Sequence, residues 1–271
     1  MLGRPRLELK SPDDLVGMHR AGQVVARTLD VVRDLLRPGI STRELDAAAE
    51  RHIRDLGATP SFLGYHGFVG SICVSVNDEV VHGVPGDRVL RDGDLVSVDC
   101  GAILDGWHGD AAFTAPLGEV PADVAALDRA TEAALWAGIA AGALGGRLSD
   151  ISHAVETSVR SAGPFGVVEE YTGHGIGTEM HLPPDVPNVG RPGRGPRIVP
   201  GLALAIEPMV TLGAATTDVL DDEWTAVTTD GSWAAHHEHS VTWTTDGPWV
   251  LTALDGGRER LGALGVPCGA P

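Results

Sequence analysis

Apolar residues near the start of the chain recur at spacings of three and four, the period of an amphipathic helix. A hydroxyl cap and a proline at the first helical position, Ser11–Pro12, favour a helix start, and Pro38–Gly39 ends the pattern. Ser41 or Thr42 then caps a second predicted helix to about residue 56, with Glu44 placed for a capping box. The buried stripe of the first helix comprises Leu15, Met18, Gly22, Val25, Leu29, Val32 and Leu36.

Residues 95–117 predict two strands joined by a tight turn. Aspartate and glycine tolerate the positive φ of a two-residue hairpin, so Asp105–Gly106 is the predicted turn. With that turn, Leu104 pairs with Trp107 and the two strands run antiparallel. A β-rich run at 72–76 precedes this hairpin, and a glycine- and aromatic-rich loop is expected at 60–70.

The predicted hairpin brings two carboxylates onto one face. In this register Gly101 pairs with Asp110, so Asp99 and Asp110 are diagonal neighbours with α-carbons about 7–8 Å apart. Two carboxylates that close repel unless a proton or a cation lies between them, and we expect Gly101 to leave room for that cation. Taken alone, the hairpin fits two solvent-facing aspartates on a polar strand face better than it fits a metal site.

The order helix, helix, strands occurs twice, in residues 12–118 and 121–252. This repetition predicts an α+β fold of two halves whose strands line one cleft. A short arm at 1–11 and a frayed tail at 253–271 lie outside this domain. In the second half we expect helices at 122–144 and, capped by Ser149, to about 161, a loop at 172–178, a Pro/Gly-rich connection at 183–200, and strands at 167–168, 202–206, 224–228 and 239–244.

Composition narrows the class of protein. The chain has 271 residues, 43% of them hydrophobic, which suffices for one large domain or two joined halves. Its formal charge of −17 disfavours binding to nucleic acid. The three cysteines are widely spaced, which argues against a disulfide scaffold and a zinc finger. Because no apolar run approaches a membrane span or a signal peptide, we expect a cytoplasmic protein without membrane contact.

Seven side chains that can bind a metal ion lie beside glycine, proline or β-rich runs. Singly, each fits a hydrogen-bonded histidine or a salt-bridged strand end. Four carboxylates with one imidazole instead suit a pair of divalent ions, which can activate water and polarise a carbonyl. We leave His236 and His237 out, since adjacent strand residues face opposite ways. The seven are His82, Asp99, Asp110, His174, His181, Glu207 and Glu238.

Short motifs carry a family resemblance across residues 12–250. In chain order they are Tyr65–Phe68 with Ser71–Asn77, His82–Pro85, Asp99–Gly101, Gly106–Asp110, Gly173–Gly177 with His181, Ala205–Met209 and Glu238–His239. In this order they closely resemble the type I methionine aminopeptidases. The resemblance implies the pita-bread fold, two pseudo-symmetric α/β halves around a curved antiparallel sheet. It also implies removal of the initiator methionine from nascent proteins and peptides, with small second residues favoured.

The resemblance also implies residue roles. Asp99, Asp110, His174, Glu207 and Glu238 would hold two divalent ions (Co, Mn or Fe, with Zn also suitable), Asp110 and Glu238 bridging them. His82 would contact the scissile amide, His181 would stabilise the developing oxyanion, and Glu207 would shuttle a proton. The methionine pocket would be walled by Tyr65, Phe68, Cys73 and Trp224.

The chain departs from the family pattern at three positions, none of them a predicted ligand. Val69 stands where proline is usual, Met180 replaces an aromatic or arginine, and His237 replaces an aromatic. Met180 and Phe62 could reshape the substrate pocket, so they bear on the methionine preference.

Two other functions fit parts of the pattern. X-Pro aminopeptidases and prolidases share the fold, but they usually carry a large N-terminal domain, for which a pattern starting near residue 12 leaves no room. A non-catalytic binding protein of this fold would be expected to lose ligands, and here all five ligand positions and both histidines are present. The expected partners are methionyl peptides and nascent chains, with transient ribosome contact, and the expected state is a monomer.

Overall fold

The computed structural model describes residues 7–270, so the first six residues of the predicted arm lie outside the described part. The helices are α1 (Pro12–Leu35), α2 (Thr42–Asp55), α3 (Ala122–Ala141), α4 (Leu148–Ala162) and α5 (Arg258–Ala263), and a 3₁₀ turn covers Tyr65–Gly67. The strands are β1 (Thr59–Pro60), β2 (Ile72–Val76), β3 (Glu79–Val81), β4 (Leu95–Leu104), β5 (Trp107–Pro116), β6 (Gly166–Val167), β7 (Gly173–Gly175), β8 (Leu182–Val186), β9 (Ala203–Ile206), β10 (Met209–Thr211), β11 (Thr217–Val219), β12 (Ala226–Thr228), β13 (Ala234–His236), β14 (Glu238–Thr244) and β15 (Gly247–Val250).

One antiparallel sheet runs through both halves of the chain. Its order is β1-β4-β5-β14-β9-β7-β8, with β2 also paired to β4 and β15 to β14. The halves meet where β5 pairs with β14, at Glu238 opposite Ala112. Strands that are far apart in sequence are therefore neighbours in the middle of the sheet, which is where the two predicted halves were expected to share a cleft.

Each half has its own apolar core between its helices and the sheet. In the first half, Val25 of α1, Ile53 of α2 and Val98 of β4 are fully buried together. In the second, Leu127 of α3 and Ile151 of α4 pack in the same cluster as sheet residues. The predicted stripe of α1 is buried from Leu15 to Val32, and only Leu36, just past the helix end, is half-buried.

The first two helices begin at the predicted caps, and both caps are capping boxes. The Ser11 hydroxyl accepts from the Asp14 N–H, and the Asp14 carboxylate accepts from the Ser11 N–H. Ser41 and Glu44 repeat this arrangement at α2, which identifies Ser41 as the cap. Each such cap contributes about 1 kcal/mol to helix stability.

The start of α4 and the end of α3 differ from expectation. The helix α4 begins at Leu148, and its cap is Arg147, whose N–H donates to Asp150; the Ser149 hydroxyl donates to the Arg194 carbonyl. The helix α3 ends three residues early because Gly142 lies against Trp243, where an added Cβ would come within 2.5 Å of the indole. Tertiary contacts override the local pattern at both ends.

Three segments expected to be irregular contain regular structure. The predicted loop at 172–178 includes β7, and the Pro/Gly-rich connection includes β8. The tail is not frayed throughout, since it contains α5, whose Leu261 is fully buried in the second core. Glycine has low β propensity, so β7 exists through its pairing with β8 and β9. Within residues 7–270 no helix is long and apolar enough to cross a membrane.

Candidate active site

The hairpin of β4 and β5 has the predicted register. Asp105 (φ 51°) and Gly106 (φ 85°) form the turn, and Leu104 pairs with Trp107. Asp110 lies opposite Gly101, which places Asp99 and Asp110 diagonally on one face. The prediction from turn chemistry alone is therefore confirmed.

Gly101 has a different purpose from the one expected. A Cβ at this position would come within 2.7 Å of the Phe62 ring and 2.8 Å of the Ser61 Cβ. The side of Gly101 is thus filled by the loop that precedes the 3₁₀ turn, and it is not open space for a cation. Glycine at 101 lets Phe62 approach the strand closely enough to line the site.

The second half supplies three more polar side chains to this face. Glu238 lies on β14 opposite Ala112, two residues along β5 from Asp110. His174 on β7 pairs with Ala205 of β9, and Glu207 directly follows that strand. Asp110, His174 and Glu238 each offer one ligand atom within 4.8 Å of the others. His174 Nε2 lies 3.5 Å from Glu207 Oε1.

The carboxyls of this cluster are buried without compensating charge. Burial raises the pKa of Asp99 to about 7, and burial together with the neighbouring carboxylates raises the pKa of Asp110, Glu207 and Glu238 well above the usual range. One oxygen each of Asp99, Asp110 and Glu238 is buried without a hydrogen-bond partner. Such unpaired acceptors are costly unless a cation or a proton meets them.

The tautomer of His174 fits the same conclusion. Its Nδ1–H donates to the Gly175 carbonyl over 2.9 Å, which leaves the lone pair of Nε2 facing Glu207 and Asp110. Burial lowers the pKa of His174 to about 3, so the ring is neutral at pH 7. A lone pair aimed at carboxylate oxygens is stable only when a cation or a carboxyl proton lies between them. The residues present therefore fit divalent metal ions.

The cluster forms one end of a cavity whose other walls are apolar. The ring of Phe68 packs edge-on against Trp224, with centroids 5.1 Å apart. Cys73, which pairs with Asp99 across β2 and β4, is buried, and burial raises its pKa, so it is an inert thiol and not a nucleophile. The cavity is lined by every residue that the sequence singled out: Tyr65, Phe68, Cys73, His82, Asp99, Asp110, His174, His181, Glu207, Trp224 and Glu238.

Two neutral histidines stand where the polar and apolar walls meet. His82 has a positive φ of 62°, and Gly83 after it lies so close to the Val74 carbonyl that a Cβ would be 2.3 Å away. Burial lowers the pKa of His82 to about 4. His181 lies at the rim, its Nδ1 2.8 Å from the Tyr65 hydroxyl, and burial also lowers its pKa.

Of the three departures from the family pattern, one reaches the cavity. Met180 lines it, and Phe62 lines it as well. Val69 points to solvent with 68% of its surface exposed. His237 faces the opposite side of the sheet, where its Nε2 lies 2.7 Å from Asp128.

Sequence reasoning missed His236. Its buried Nε2 lies 4.0 Å from Glu207 Oε2 and 3.9 Å from Glu238 Oε2, and it has no hydrogen-bond partner. His236 and His237 were left out of the candidate metal ligands together, because they are adjacent. The alternation of side chains would have separated them, because His236 is two residues from Glu238 and shares its face.

Comparison with known proteins adds an independent line of evidence. The model of metallopeptidase family M24 matches residues 16–245. The chain is 54% identical to methionine aminopeptidase 1 of Mycobacterium tuberculosis over 92% of this chain and 96% of the relative, and 50% identical to methionine aminopeptidase 1 of Bacillus subtilis over 90% and 98%.

Solved structures show the same relationship. The methionine aminopeptidase of Thermotoga maritima superimposes with a TM-score of 0.90 at 41% identity, covering 92% of this chain and all of the other. A prolidase from Pyrococcus furiosus superimposes with a TM-score of 0.72 at 19% identity, covering 90% of this chain and 65% of the other. The second likeness concerns the fold alone.

Proposed function

This chain belongs to metallopeptidase family M24, and we propose that its reaction is the hydrolytic removal of an N-terminal methionine from peptides. The pita-bread fold and the enzyme class expected from the sequence motifs are both confirmed, since relatives with 41–54% identity over nine-tenths of the chain are methionine aminopeptidases. The alternative of a prolidase rests on a likeness of fold at low identity.

One observation carries the proposal. A buried cluster of carboxylates and His174 ends a cavity whose remaining walls are sulfur and aromatic side chains. The apolar walls suit an unbranched thioether side chain, because sulfur makes favourable contacts with aromatic rings. The polar end then lies where the amino group and carbonyl of that first residue would be.

We propose that Asp99, Asp110, His174, Glu207 and Glu238 would hold two divalent ions. Bound ions would supply the Lewis acidity that polarises the scissile carbonyl and lowers the pKa of water. A donor set of mainly oxygen atoms favours Mn, Fe or Co over a closed zinc site, although zinc also suits it.

The two histidines provide hydrogen bonds to the carbonyl oxygen and to the peptide nitrogen of the bond that is cleaved. His181, being neutral, donates an N–H to the carbonyl oxygen as negative charge develops on it, and one such donor typically contributes a factor of about 10²–10³ to the rate. His82 meets the peptide nitrogen on the leaving side. Glu207, whose carboxylate lies at the polar end of the cavity 3.5 Å from His174, would accept the proton of the attacking water and deliver it to that nitrogen.

The free amino group of the substrate would bind beside Asp99. This contact is available only to the first residue of a peptide, so the enzyme acts from the N-terminus. The preference for small second residues, action on nascent chains in the cytoplasm with transient ribosome contact, and a monomeric state are further parts of the proposal.

Peptide selectivity tests the proposal. We expect hydrolysis of Met-Ala-Ser and little hydrolysis of Ala-Pro-Ser or Leu-Ala-Ser by the same metal-loaded protein. Rapid release of alanine from Ala-Pro-Ser would favour the prolidase-like alternative. Absence of divalent metal binding and of all peptidase activity would favour a non-catalytic protein.

A further inference from the structure

The hydroxyl of Tyr65 contacts the ring of His181 across the two halves of the molecule. The distance from Tyr65 Oη to His181 Nδ1 is 2.8 Å, and the ring centroids are 5.4 Å apart. The two residues are 116 positions apart in the chain. Tyr65 lines the cavity, but an apolar wall would not need its hydroxyl group.

This contact leaves His181 with one free ring nitrogen. Because Nδ1 is engaged, only Nε2 remains to meet a substrate in the cavity that His181 lines. A neutral imidazole carries its proton on one nitrogen only. If that proton were on Nδ1, then Nε2 would be an acceptor and would repel a developing oxyanion.

The chemistry of the pair selects the useful tautomer. A phenol O–H is a better donor than a neutral imidazole N–H, and an unprotonated imidazole nitrogen is a better acceptor than a phenol oxygen. We propose that Tyr65 is a positioning residue, whose O–H donates to Nδ1 of His181 and so keeps the proton on Nε2, aimed at the carbonyl oxygen of the substrate. This inference rests on the oxyanion role proposed above for His181.

The turn that carries Tyr65 is built to hold it in place. His66 has a left-handed φ of 46°, a conformation that is unfavourable for a residue other than glycine. Backbone bonds close the turn on both sides of Tyr65, whose N–H donates to Phe62 and whose carbonyl accepts from Phe68. Phe68 is in turn anchored against Trp224. The phenol is therefore fixed from the first half while His181 comes from the second.

The variant Tyr65→Phe removes the hydroxyl and keeps the wall. We expect kcat for Met-Ala-Ser to fall about 3- to 10-fold, the range of one partly exposed hydrogen bond, with KM nearly unchanged. A mere wall residue would instead change KM. In a His181→Ala background Tyr65→Phe should have no further effect, because its partner is gone.

Thr28→Val is the matched control. The Thr28 hydroxyl also meets a histidine Nδ1, that of His52, over 3.1 Å, but this pair lies between α1 and α2, outside the cavity. We expect Thr28→Val to leave kcat and KM unchanged, although it also removes a hydroxyl that is hydrogen-bonded to a histidine Nδ1.

Nitrogen-15 NMR of the imidazoles, with the protein loaded with diamagnetic Zn²⁺ or Mg²⁺, gives a readout independent of turnover. We expect His181 to be protonated on Nε2 in the wild type and to become a mixture of tautomers in Tyr65→Phe. Protonation on Nδ1 in the wild type, or additive rate effects of the two substitutions, would overturn the inference. If the wild type itself does not cleave Met-Ala-Ser, the proposed function fails, and the tautomer measurement still decides the positioning role.

Discussion

Removing the charge of Asp99 should stabilise the metal-free protein at neutral pH. The buried carboxyl has its pKa raised from 3.8 to about 7 in the folded state. A raised folded pKa means that the folded state holds its proton more tightly, so stability is fully present below pH 4 and is lost as pH rises to 7. This rise in the pKa corresponds to a loss of about 4 kcal/mol of unfolding free energy at neutral pH. A domain usually has only about 5–15 kcal/mol of unfolding free energy in total.

The assay compares urea unfolding of the chelator-treated wild type and Asp99→Asn between pH 4 and pH 7.5. We expect the free energy of unfolding of the variant, relative to wild type, to rise by up to about 4 kcal/mol over this range. Taking the difference cancels the titration of the groups that do not interact with Asp99. Asp246→Asn, at an exposed turn, is the control and should show no such change.

Divalent metal should narrow the difference in stability between the wild type and Asp99→Asn. An ion that binds only the folded state adds about 2.7 kcal/mol at 100 times its dissociation constant, and Asp99→Asn should gain less of it. A difference between the two proteins that does not vary with pH would refute the assignment of Asp99 to an uncompensated carboxylate cluster.

Substitutions at three further residues test the oxyanion contact, the packing beside the site and the orientation of the carboxylates. His181→Ala should lower kcat on Met-Ala-Ser by about 10²–10³, and near-normal turnover would remove His181 from the reaction. Gly101→Ala should cost about 1–3 kcal/mol of unfolding free energy, since its Cβ would lie 2.7 Å from the Phe62 ring; unchanged thermal unfolding and KM would mean that Phe62 moves freely. His236→Ala should weaken divalent metal binding measured by calorimetry, with His236→Gln closer to wild type, because the buried Nε2 faces Glu207 and Glu238; equal affinity in all three proteins would show that His236 does not orient these carboxylates.

The hairpin was predictable because its determinants are local. Turn chemistry at Asp105–Gly106 determines the register, and the register alone makes Asp99 and Asp110 diagonal neighbours. The caps of α1 and α2 follow for the same reason, since each uses residues within three positions of one another.

The rest of the site depends on contacts distant in sequence. Nothing local in the Gly-His-Gly run of β7 indicates a strand, and it becomes one by pairing with β8 and β9. Gly101 was assigned to an empty space because the chain that fills it, Phe62, comes from a loop without periodicity. His236 was discarded although its spacing from Glu238 placed it on the correct face.

The buried carboxylates explain why the residues of the family motifs are also the residues that need a cation. A sheet that places four acids and an unprotonated histidine nitrogen in one cavity is unfavourable by itself. It becomes favourable when cations balance the charge. The same residues that destabilise the metal-free fold are then those that would support hydrolysis.

Metal-dependent turnover tests whether this protein is a methionine aminopeptidase that needs divalent ions at the carboxylate cluster. Chelator-treated protein is assayed on Met-Ala-Ser and Ala-Pro-Ser while Mn²⁺, Co²⁺ or Fe²⁺ is added back, beside Asp110→Asn treated in the same way. We expect methionine release from Met-Ala-Ser to return with the metal in the wild type and not in Asp110→Asn. In the wild type this release should be faster than any cleavage of Ala-Pro-Ser. Turnover that is indifferent to the metal, or equal in the two proteins, would contradict this expectation.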